Sequence, residues 1–222
     1  MKGIKVTVGG MMSVDGKIAP ADRQGRKFFK FMTPQHRKML HRIRSRVDAI
    51  VVGVDTVIAD NPSLTVRNVT ATNPIRVVLD SNARTPLNSK ILNREASTIV
   101  AVTRNAPRSR VMKLRSKAKV LVQERSGRVD LTELLRKLKT FGVRRVLVEG
   151  GGEIRWSFFK ANLVDEFFVW ITPHVWGGRD APTLVDGTGF IREVEAVPLR
   201  LIHSRFVDKL LILSFRVKRS HV

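Results

Sequence analysis

A polar stretch that could bind a ligand follows the strand-like apolar run Ala49–Val52. Thr56 and Asp60 are four residues apart, so on one helical turn they would lie on the same face. The pair Asn61-Pro62 then breaks that turn, and Leu64–Arg67 is predicted to be an extended, alternating segment that ends in a cation. Polar groups after a buried strand are how α/β proteins present ligand-binding side chains. An ordinary surface connection between a strand and a helix has the same features, so this pattern alone leaves both interpretations open.

A second candidate binding segment is the glycine loop Glu149–Gly152. It lies between the apolar strand Val146–Val148 and a predicted helix from Glu153 to Ala161. The backbone N–H groups of such a loop, together with the helix dipole, can bind a phosphate. The loop matches neither the Gly-x-Gly-x-x-Gly fingerprint nor the Walker A sequence. Since glycines also form plain turns, the motif by itself does not decide between a phosphate site and a turn.

Two predicted turns add further polar side chains. Asp15-Gly16 is typical of a hairpin turn, and it is followed by Lys17, which could also be presented to a ligand. The strand Ile75–Leu79, interrupted only by Arg76, ends in the turn Asp80–Arg84. We expect Asp80, at the start of that turn, to point inward and hold it, which would leave the side chains after it for a ligand.

The elements that would position these residues alternate between strands and helices up to about Ala161. Thr33-Pro34 is predicted to begin a helix that ends near Arg46, because Thr is a preferred N-cap and Pro is favoured at the first helical position. Further strands are predicted over Ile4–Gly9, Thr98–Val102 and Val120–Gln123, and helices over Val111–Ser116 and from Asp130 to Gly142. This alternation predicts a mainly parallel sheet.

The pattern changes after Leu163, beyond which there is no clear helix signal. Val164–Thr172 is predicted to be a long strand, and Leu199–Arg205 and Leu210–Val217 are predicted to pair as a hairpin. The sequence therefore predicts an α/β fold with a mostly parallel central sheet, an antiparallel C-terminal hairpin and helices on both faces. No linker, repeat or change in composition marks a boundary, so residues 1–222 are predicted to form a single domain.

The composition excludes several classes of protein and site. The chain has no cysteine, which excludes disulfides and thiolate metal sites, and its five histidines show no metal-ligand spacing. No apolar run approaches the roughly 18 residues of a membrane span, and the N-terminus lacks the apolar core of a signal peptide, so we expect a cytoplasmic protein. The net charge of +22 suggests polyanionic partners, and nonspecific affinity for nucleic acid is expected, although the cations are spread along the chain.

Seven segments, in the same order, resemble the reductase family of riboflavin biosynthesis, which has a dihydrofolate-reductase-like fold. They are Ser13–Ala19, Gly53–Arg67, Pro74–Ser81, Val148–Gly152, Leu163–Glu166, Trp176–Gly178 and Ala181-Pro182. The Gly53–Arg67 segment follows the family pattern Gly-x-x-Thr-Val-x-x-Asp-(Asn/Asp)-Pro-x-Leu-Thr-Val-Arg. One departure is Phe28–Phe31, where bacterial members usually carry a small polar residue and a Trp nearby. The resemblance therefore leaves the role of that region open.

The resemblance implies a reaction and a set of site residues. Its stand-alone archaeal and fungal members reduce 2,5-diamino-6-(ribosylamino)-4(3H)-pyrimidinone 5′-phosphate to the ribityl compound with NADPH. It implies a substrate site of Arg44, Leu64, Arg67 and Glu149, with Lys17 and Glu149 at the reacting end. It implies NADPH binding by Thr56, Asp60, Ser81, Asn82, Ala83, Arg84, Gly150, Gly151, Gly152 and Glu153. No proton donor is assigned, and no metal is implied. The bacterial enzymes fuse this domain to a zinc deaminase, whose Cys ligands the chain lacks.

Two interpretations of other kinds stay open beside this one. The first is a dihydrofolate-reductase-like enzyme acting on another pterin or pyrimidine, and the second is a basic RNA-binding protein built on the same fold.

For NADPH, we expect Arg84, with Arg104 as its neighbour, to bind the 2′-phosphate, and we expect no acid beside that phosphate.

Quaternary structure is a further expectation. Family members are homodimers, and the segment Leu163–Trp176 carries four aromatic side chains that an alternating strand would place on both faces. One face could then need cover from a second copy. The competing interpretation is a strand that the helices of its own domain cover on both faces.

Overall fold

Nine strands and five α-helices make up the described residues, 3–218, of this computed structural model. The strands are β1 (Lys5–Ser13), β2 (Ala49–Gly53), β3 (Ile75–Leu79), β4 (Thr98–Thr103), β5 (Lys119–Gln123), β6 (Arg145–Val148), β7 (Glu166–Thr172), β8 (Leu199–Val207) and β9 (Leu210–Val217). The helices are α1 (Pro34–Arg44), α2 (Val54–Asp60), α3 (Arg108–Arg115), α4 (Leu131–Thr140) and α5 (Gly152–Lys160). The predicted strands and helices are therefore present, with shifts at the ends, except for the extended segment predicted over Leu64–Arg67.

The chain divides into two compact units. Unit 1 comprises Thr33–Leu147 with the N-terminal residues up to Ile4, and unit 2 comprises Lys5–Met32 and the chain from Val148 onward. The prediction of a single reductase domain over the whole chain stays a prediction.

Unit 1 is built on strands in the order β5-β4-β3-β2-β6. The β2–β3, β3–β4 and β4–β5 pairs are all parallel, with Val51 opposite Val77 and Val77 opposite Ile99. β2 and β4 are buried along their whole length because their apolar residues face protein on both sides. The strand ends that precede α2 and the turn at Asp80 are thereby held in a rigid frame.

Two helices of unit 1 begin at side-chain caps. At α1, the Thr33 hydroxyl accepts from the backbone N–H of His36, while the His36 ring accepts from the N–H of Thr33. At α4, the Asp130 carboxylate accepts from the N–H groups of Thr132 and Glu133. The predicted N-cap at Thr33 is therefore confirmed, and Asp130, at the predicted start of its helix, satisfies the first helical amides in the same way.

Unit 2 joins β1 and β7 in parallel and then adds β9 and β8 in antiparallel order. The β8–β9 hairpin turns at Asp208, which has a positive φ of 52°. The mostly parallel sheet with an antiparallel C-terminal hairpin is therefore confirmed. β1 extends to Ser13, four residues beyond the predicted end at Gly9, because it pairs with β7 along its last seven residues.

The aromatic side chains of β7 are largely covered within unit 2. Phe167 is 8% exposed and Trp170 is 3% exposed. The Phe167 ring packs edge-on against Phe159 of α5, at 5.2 Å between centroids, and stacks on Phe215 of β9. Phe168, whose side chain lies on the opposite face of β7 from Phe167, is only half-buried, so the expectation that one face needs cover from a second copy stays a prediction.

Candidate active site

Two predicted substrate-binding arginines meet at Thr65 in unit 1. Arg44, on α1, is 8% exposed, and its Nη1 donates to the carbonyl oxygen of Thr65 over 3.3 Å. Arg67 is exposed; its Nε donates to the Thr65 hydroxyl over 3.3 Å. The backbone N–H of Arg67 donates to Nδ1 of His41, also on α1, over 3.1 Å. Two guanidinium groups held on one residue form a geometry suited to an anion such as phosphate.

Arg44 is one of the two buried side chains of α1. The other is His36, whereas the apolar residues Met39, Leu40 and Ile43 are only half-buried. Helical spacing alone marks Arg44 as one cation among several. Its burial gives it a role that the other cations of α1 do not share, since a buried guanidinium must find hydrogen-bond acceptors.

The segment before Arg67 is not the extended, alternating segment that the sequence predicts. Leu64 adopts a left-handed backbone conformation, with φ of 49°, and both Leu64 and Thr65 are 4% exposed. In an alternating strand two consecutive residues would not face the same way. The reversal follows Asn61, which ends α2 with φ of 46°, and Pro62, which cannot continue a helix.

Arg76, which the sequence presents only as an interruption of a strand, holds this segment in place. Its side chain is fully buried on β3 and donates to the Ser63 carbonyl over 3.4 Å, to the Asn93 side-chain oxygen over 2.8 Å and to the Thr98 hydroxyl over 2.9 Å. Burial lowers the pKa of Arg76, and the charge of Glu95 opposes that shift. A lone cation inside a buried parallel strand is the sequence signal that could have identified this residue, because it must be paired.

The turn after β3 is organised around the buried carboxylate of Asp80. One carboxylate oxygen accepts from the Arg84 N–H over 2.8 Å, and the other accepts from the N–H and hydroxyl of Thr85, each over 2.7 Å. Asp80 is 0% exposed. The expectation that Asp80 points inward and holds the turn is confirmed. Arg110 of α3 also stabilises the turn by donating to the carbonyl oxygens of Ala83 and Thr85. The sequence did not indicate this contact.

The predicted cofactor-binding residues of this turn differ in exposure. Ala83 is fully buried with φ of 56°, while Asn82 and Arg84 are exposed. The Ser81 hydroxyl accepts from the N–H of Val129 over 3.2 Å. Of this group, Asn82 and Arg84 therefore have the side chains most open to a ligand.

Arg84 has an acidic partner that the sequence interpretation did not anticipate. Its Nη2 lies 2.7 Å from Oδ1 of Asp55, at the start of α2. Both side chains are largely exposed, so the pair contributes little to stability. The expectation that no acid lies beside the 2′-phosphate stays a prediction. Thr56 and Asp60, one turn apart on the same helix, are both half-buried.

In unit 2, Lys17 is fixed by the segment around Ala181. Its Nζ donates to the Ala181 carbonyl oxygen over 3.1 Å, and its backbone pairs with Thr183 as an isolated antiparallel bridge. The preceding turn is held by Asp15, which accepts from the N–H groups of Trp176 and Gly177. The Ser13 hydroxyl, followed by these amides, lowers the pKa of Asp15 to about 2. The turn and the fixed Lys17 are therefore both present.

The glycine loop of unit 2 leads directly into α5. Gly151 is the N-cap of α5, with φ of 73°, and the helix begins at Gly152, one residue before the predicted start at Glu153. A Cβ on Gly152 would lie 2.3 Å from an oxygen of Asp186, so the loop packs too closely for a larger residue. Glu149 is half-buried at the start of the loop, and Glu153 is exposed. The first amides of α5 have no intrahelical partner and suit an anion.

The Phe28–Phe31 region, whose role the sequence left open, belongs to an aromatic cluster of unit 2. Phe28 and Phe31 lie in a 3-10 helix, Gly25–Phe31, with rings 5.9 Å apart. Phe31 stacks on His174 at 3.8 Å between ring centroids, and both phenylalanines contact Trp176. The region therefore packs against the segment that Asp15 holds.

The structure thus groups the predicted site residues by unit. Unit 1 carries Arg44, Leu64 and Arg67 around Thr65, and Thr56, Asp60 and Ser81–Arg84 on α2 and the turn after β3. Unit 2 carries Lys17, Glu149, Gly150, Gly151, Gly152 and Glu153. Among residues 3–218, no group of three or more His, Asp or Glu side chains is arranged to hold a metal ion. None of the helices in that part of the chain is long and apolar enough to cross a membrane.

Comparison with known proteins agrees with the resemblance drawn from the sequence. The chain is 42% identical, over 96% of its length, to the 2,5-diamino-6-ribosylamino-4(3H)-pyrimidinone 5′-phosphate reductase of Methanothermobacter thermautotrophicus, and the match covers 98% of that protein. Among solved structures, RibD of Acinetobacter baumannii is 25% identical with a TM-score of 0.80, over 97% of this chain and 58% of that one.

The fold is also that of dihydrofolate reductase. The enzyme from Enterococcus faecalis superposes on 97% of this chain, covering 97% of its own, with a TM-score of 0.53 at 12% identity. At that identity the likeness speaks for the fold alone. The RibD C-terminal domain matches residues 4–213, and the chain therefore belongs to the RibD C-terminal domain family.

Proposed function

We propose that this protein reduces 2,5-diamino-6-ribosylamino-4(3H)-pyrimidinone 5′-phosphate to its ribityl counterpart with NADPH, in riboflavin biosynthesis. The observation that carries this proposal is the 42% identity to the archaeal reductase of that name, over nearly the full length of both chains. A likeness that spans the whole relative supports the same substrate as well as the same fold. The protein is accordingly proposed to be a cytoplasmic oxidoreductase.

The chemistry requires positioning more than acid–base catalysis. When NADPH is bound, it supplies a hydride that forms a C–H bond at C1′ of the ring-opened ribose, while the electrons of the C=N bond move to nitrogen. A cationic imine is already electrophilic, so a strong general acid at this carbon is less necessary. Lys17 and Glu149 are proposed to hold the reacting sugar or the pyrimidine.

The phosphate end of the substrate is assigned to Arg44 and Arg67. Both guanidinium groups contact Thr65, and only Arg67 is exposed. Arginine can bind a phosphate through two parallel hydrogen bonds. In this assignment Arg67 makes the direct contact, while Arg44 adds charge and holds the Thr65 backbone. Leu64, buried beside them, supports the same segment.

Each unit carries donor groups that suit phosphate oxygens. In unit 1, Asn82 and Arg84 are exposed donors on a rigid turn. Thr56 and Asp60 on α2 are assigned to the cofactor together with them. In unit 2, the glycine loop and the amides at the start of α5 suit phosphate oxygens. We assign the 2′-phosphate of NADPH to Arg84 and the shared phosphates of the cofactor to the loop.

NADPH binding can be separated from the alternatives by ligand-induced stabilisation. A ligand that binds only the folded state raises its stability by about 2.7 kcal/mol at about 100 times its Kd. We expect NADPH to raise the melting temperature and short RNA at physiological salt to leave it unchanged. A shift with RNA alone would favour the RNA-binding interpretation suggested by the net charge of +22. A shift with NADPH, followed by turnover of dihydrofolate but not of the pyrimidinone, would favour the pterin enzyme.

A homodimer is proposed on different grounds from those that the sequence offered. β8 is the last strand in the order of unit 2, so among the described residues one of its edges has no partner strand. Along β8, Leu201 is 52% exposed, Ile202 is 50% exposed and Phe206 is 74% exposed. Exposed apolar residues on an open strand edge favour pairing with another chain. We propose that the partner is a second copy of this chain.

Light scattering tests this assignment. We expect a dimer at micromolar concentration and a monomer after Phe206→Lys, which places a charge on the exposed edge. The matched control is Met112→Lys, because Met112 is also exposed, at 71%, but lies on α3 of unit 1. A monomeric wild-type protein would exclude the dimer, and a Phe206→Lys dimer would move the interface elsewhere.

A further inference from the structure

A buried arginine of unit 2 contacts three separate backbone segments. Arg155, on α5, is 4% exposed. Its Nε donates to the Gly9 carbonyl oxygen over 3.1 Å, its Nη1 donates to that of Leu184 over 3.2 Å, and its Nη2 donates to that of Glu149. A guanidinium group carries its donors in a planar fork, so these three bonds fix the three carbonyls relative to one another.

Two of these segments carry residues assigned to the reacting end of the site. Glu149 is one of those residues, and the glycine loop begins at Glu149. Leu184 belongs to the segment that holds Lys17: its N–H donates to Gly16 over 3.1 Å, and Lys17 donates to Ala181 in the same segment. The third segment is β1. Arg155 therefore connects the backbone of Glu149 with the backbone that supports Lys17.

The space around this guanidinium leaves little freedom. A Cβ on Gly10 would lie 2.5 Å from Nη2 of Arg155 and 3.2 Å from Leu184 Cδ1. Burial lowers the pKa of Arg155 to about 10, while the charges of Glu149 and Asp186 raise it. The group is therefore protonated at neutral pH and keeps all its donors.

We propose that Arg155 is a positioning residue for the reduction: it holds Glu149 and the Lys17-bearing turn in the arrangement that the reaction requires, without touching the substrate. This inference rests on the proposed function for its catalytic consequence, but the geometric claim stands apart from it. A role confined to stability predicts a different outcome: the carbonyl groups left without a donor would lower the free energy of unfolding, but the folded variant would keep the kcat of the wild type.

Three variants and one control separate these roles. Arg155→Met keeps the length and removes the donors, whereas Arg155→Lys keeps the charge without the planar fork. Gly10→Ala keeps the Arg155 side chain, but its Cβ would lie 2.5 Å from Nη2 and so displace the guanidinium group. The control is Lys160→Met, which removes an exposed cation from the same helix. Each protein is compared at a temperature where its unfolding curve shows that it is folded.

The first measurement is amide hydrogen exchange, which needs no activity. We expect peptides that cover residues 149–152 and 181–186 to exchange at least about 10-fold faster in Arg155→Met and Gly10→Ala, while the β9 peptide is unchanged. We expect Lys160→Met to match the wild type everywhere. Unchanged exchange in both segments, or an equal rise throughout unit 2, would overturn the proposal.

The second measurement is steady-state kinetics with the pyrimidinone phosphate. We expect kcat to fall at least about 10-fold in Arg155→Met and Gly10→Ala, because a small displacement of positioned groups can cost that much or more. Arg155→Lys should recover part of the loss. Wild-type kcat in both variants would overturn the catalytic part of the inference. A wild-type protein that does not reduce this substrate would instead contradict the proposed function, and hydrogen exchange would still decide whether Arg155 fixes these segments.

Discussion

The turn after β3 and the loop after β6 both follow a buried strand, but charges of opposite sign hold them. In unit 1, the Asp80 carboxylate accepts from the N–H groups of Arg84 and Thr85. In unit 2, the Arg155 guanidinium donates to carbonyl oxygens, including that of Glu149. A buried carboxylate accepts from backbone N–H groups, which are then not available to a ligand. A buried guanidinium group donates to carbonyl oxygens and leaves the N–H groups available.

This difference decides which groups remain for a ligand. At the turn after β3, amides are engaged by Asp80, so a phosphate there must be bound by a side chain such as Arg84. At the glycine loop, carbonyls are engaged by Arg155, and the amides that start α5 suit an anion. Side-chain recognition can discriminate between two cofactors, while backbone recognition suits the part that they share. Substitutions at Asp80, Gly152, Arg84 and Asp55 test the two sides of this contrast.

The largest effect is expected from Asp80→Ala. The change leaves two N–H groups and the Thr85 hydroxyl buried without the acceptor that they have now. Each unsatisfied group costs about 1–3 kcal/mol, so we expect the free energy of unfolding to fall by about 3 kcal/mol or more. Urea denaturation measures the loss. Asp80→Asn, which keeps one acceptor oxygen, should lose less, and a loss below about 1 kcal/mol in Asp80→Ala would show that the turn does not depend on this carboxylate.

Gly152→Ala should weaken both cofactors. Its Cβ would lie 2.3 Å from the Asp186 carboxylate and 2.7 Å from the Thr183 carbonyl oxygen, so the loop must shift. Overpacking of this kind costs about 1–3 kcal/mol. If that strain acts on the bound loop, affinity for NADPH and NADH falls equally, by about 5- to 150-fold. Calorimetric titration of both cofactors measures it, and a loss confined to NADPH would move the 2′-phosphate to this loop.

Arg84→Ala should discriminate between the cofactors. Losing an Arg–phosphate contact costs about 1–3 kcal/mol, so NADPH affinity should fall about 5- to 150-fold while NADH affinity stays almost unchanged. The double change with Arg104→Ala should bring the two cofactors close to parity. The same titrations apply. If NADH weakens as much as NADPH, Arg84 supports the fold or the shared part of the cofactor instead.

The smallest effect is expected from Asp55→Asn, the matched change on the partner of Arg84. Asp55 lies 2.7 Å from the Arg84 guanidinium and competes with an incoming phosphate. An exposed ion pair is worth about 0.2–1 kcal/mol, so its removal should raise NADPH preference by about 1.5- to 5-fold. An unchanged preference would indicate that Arg84 leaves Asp55 at no cost when the cofactor binds.

The sequence predicted the fold well because each element has a local signal. Apolar runs give β2, β3 and β4, and Thr33 and Asp130 are strong N-caps. The prediction of an extended segment at Leu64 was wrong because local sequence patterns do not show long-range contacts. The backbone of this segment follows long-range bonds, including the one from Arg76 to Ser63.

The candidate site was predictable by position more than by contact. Asp80 was expected to point inward because a carboxylate at the start of a turn commonly binds the amides after it. The Asp55–Arg84 pair joins residues 29 positions apart, and Arg155 donates to backbone carbonyl groups, which no side chain in the sequence indicates. Partners of that kind are set by the three-dimensional arrangement within each unit, so no local pattern indicates them.

Turnover of the pyrimidinone phosphate with NADPH tests the proposed reaction itself. Purified protein is mixed with 2,5-diamino-6-ribosylamino-4(3H)-pyrimidinone 5′-phosphate and NADPH, the loss of NADPH absorbance is followed, and the product is identified by mass spectrometry. We predict that one NADPH is consumed for each ribityl product formed. Protein that is folded and binds NADPH, yet leaves both substrate and cofactor unchanged, would contradict the account.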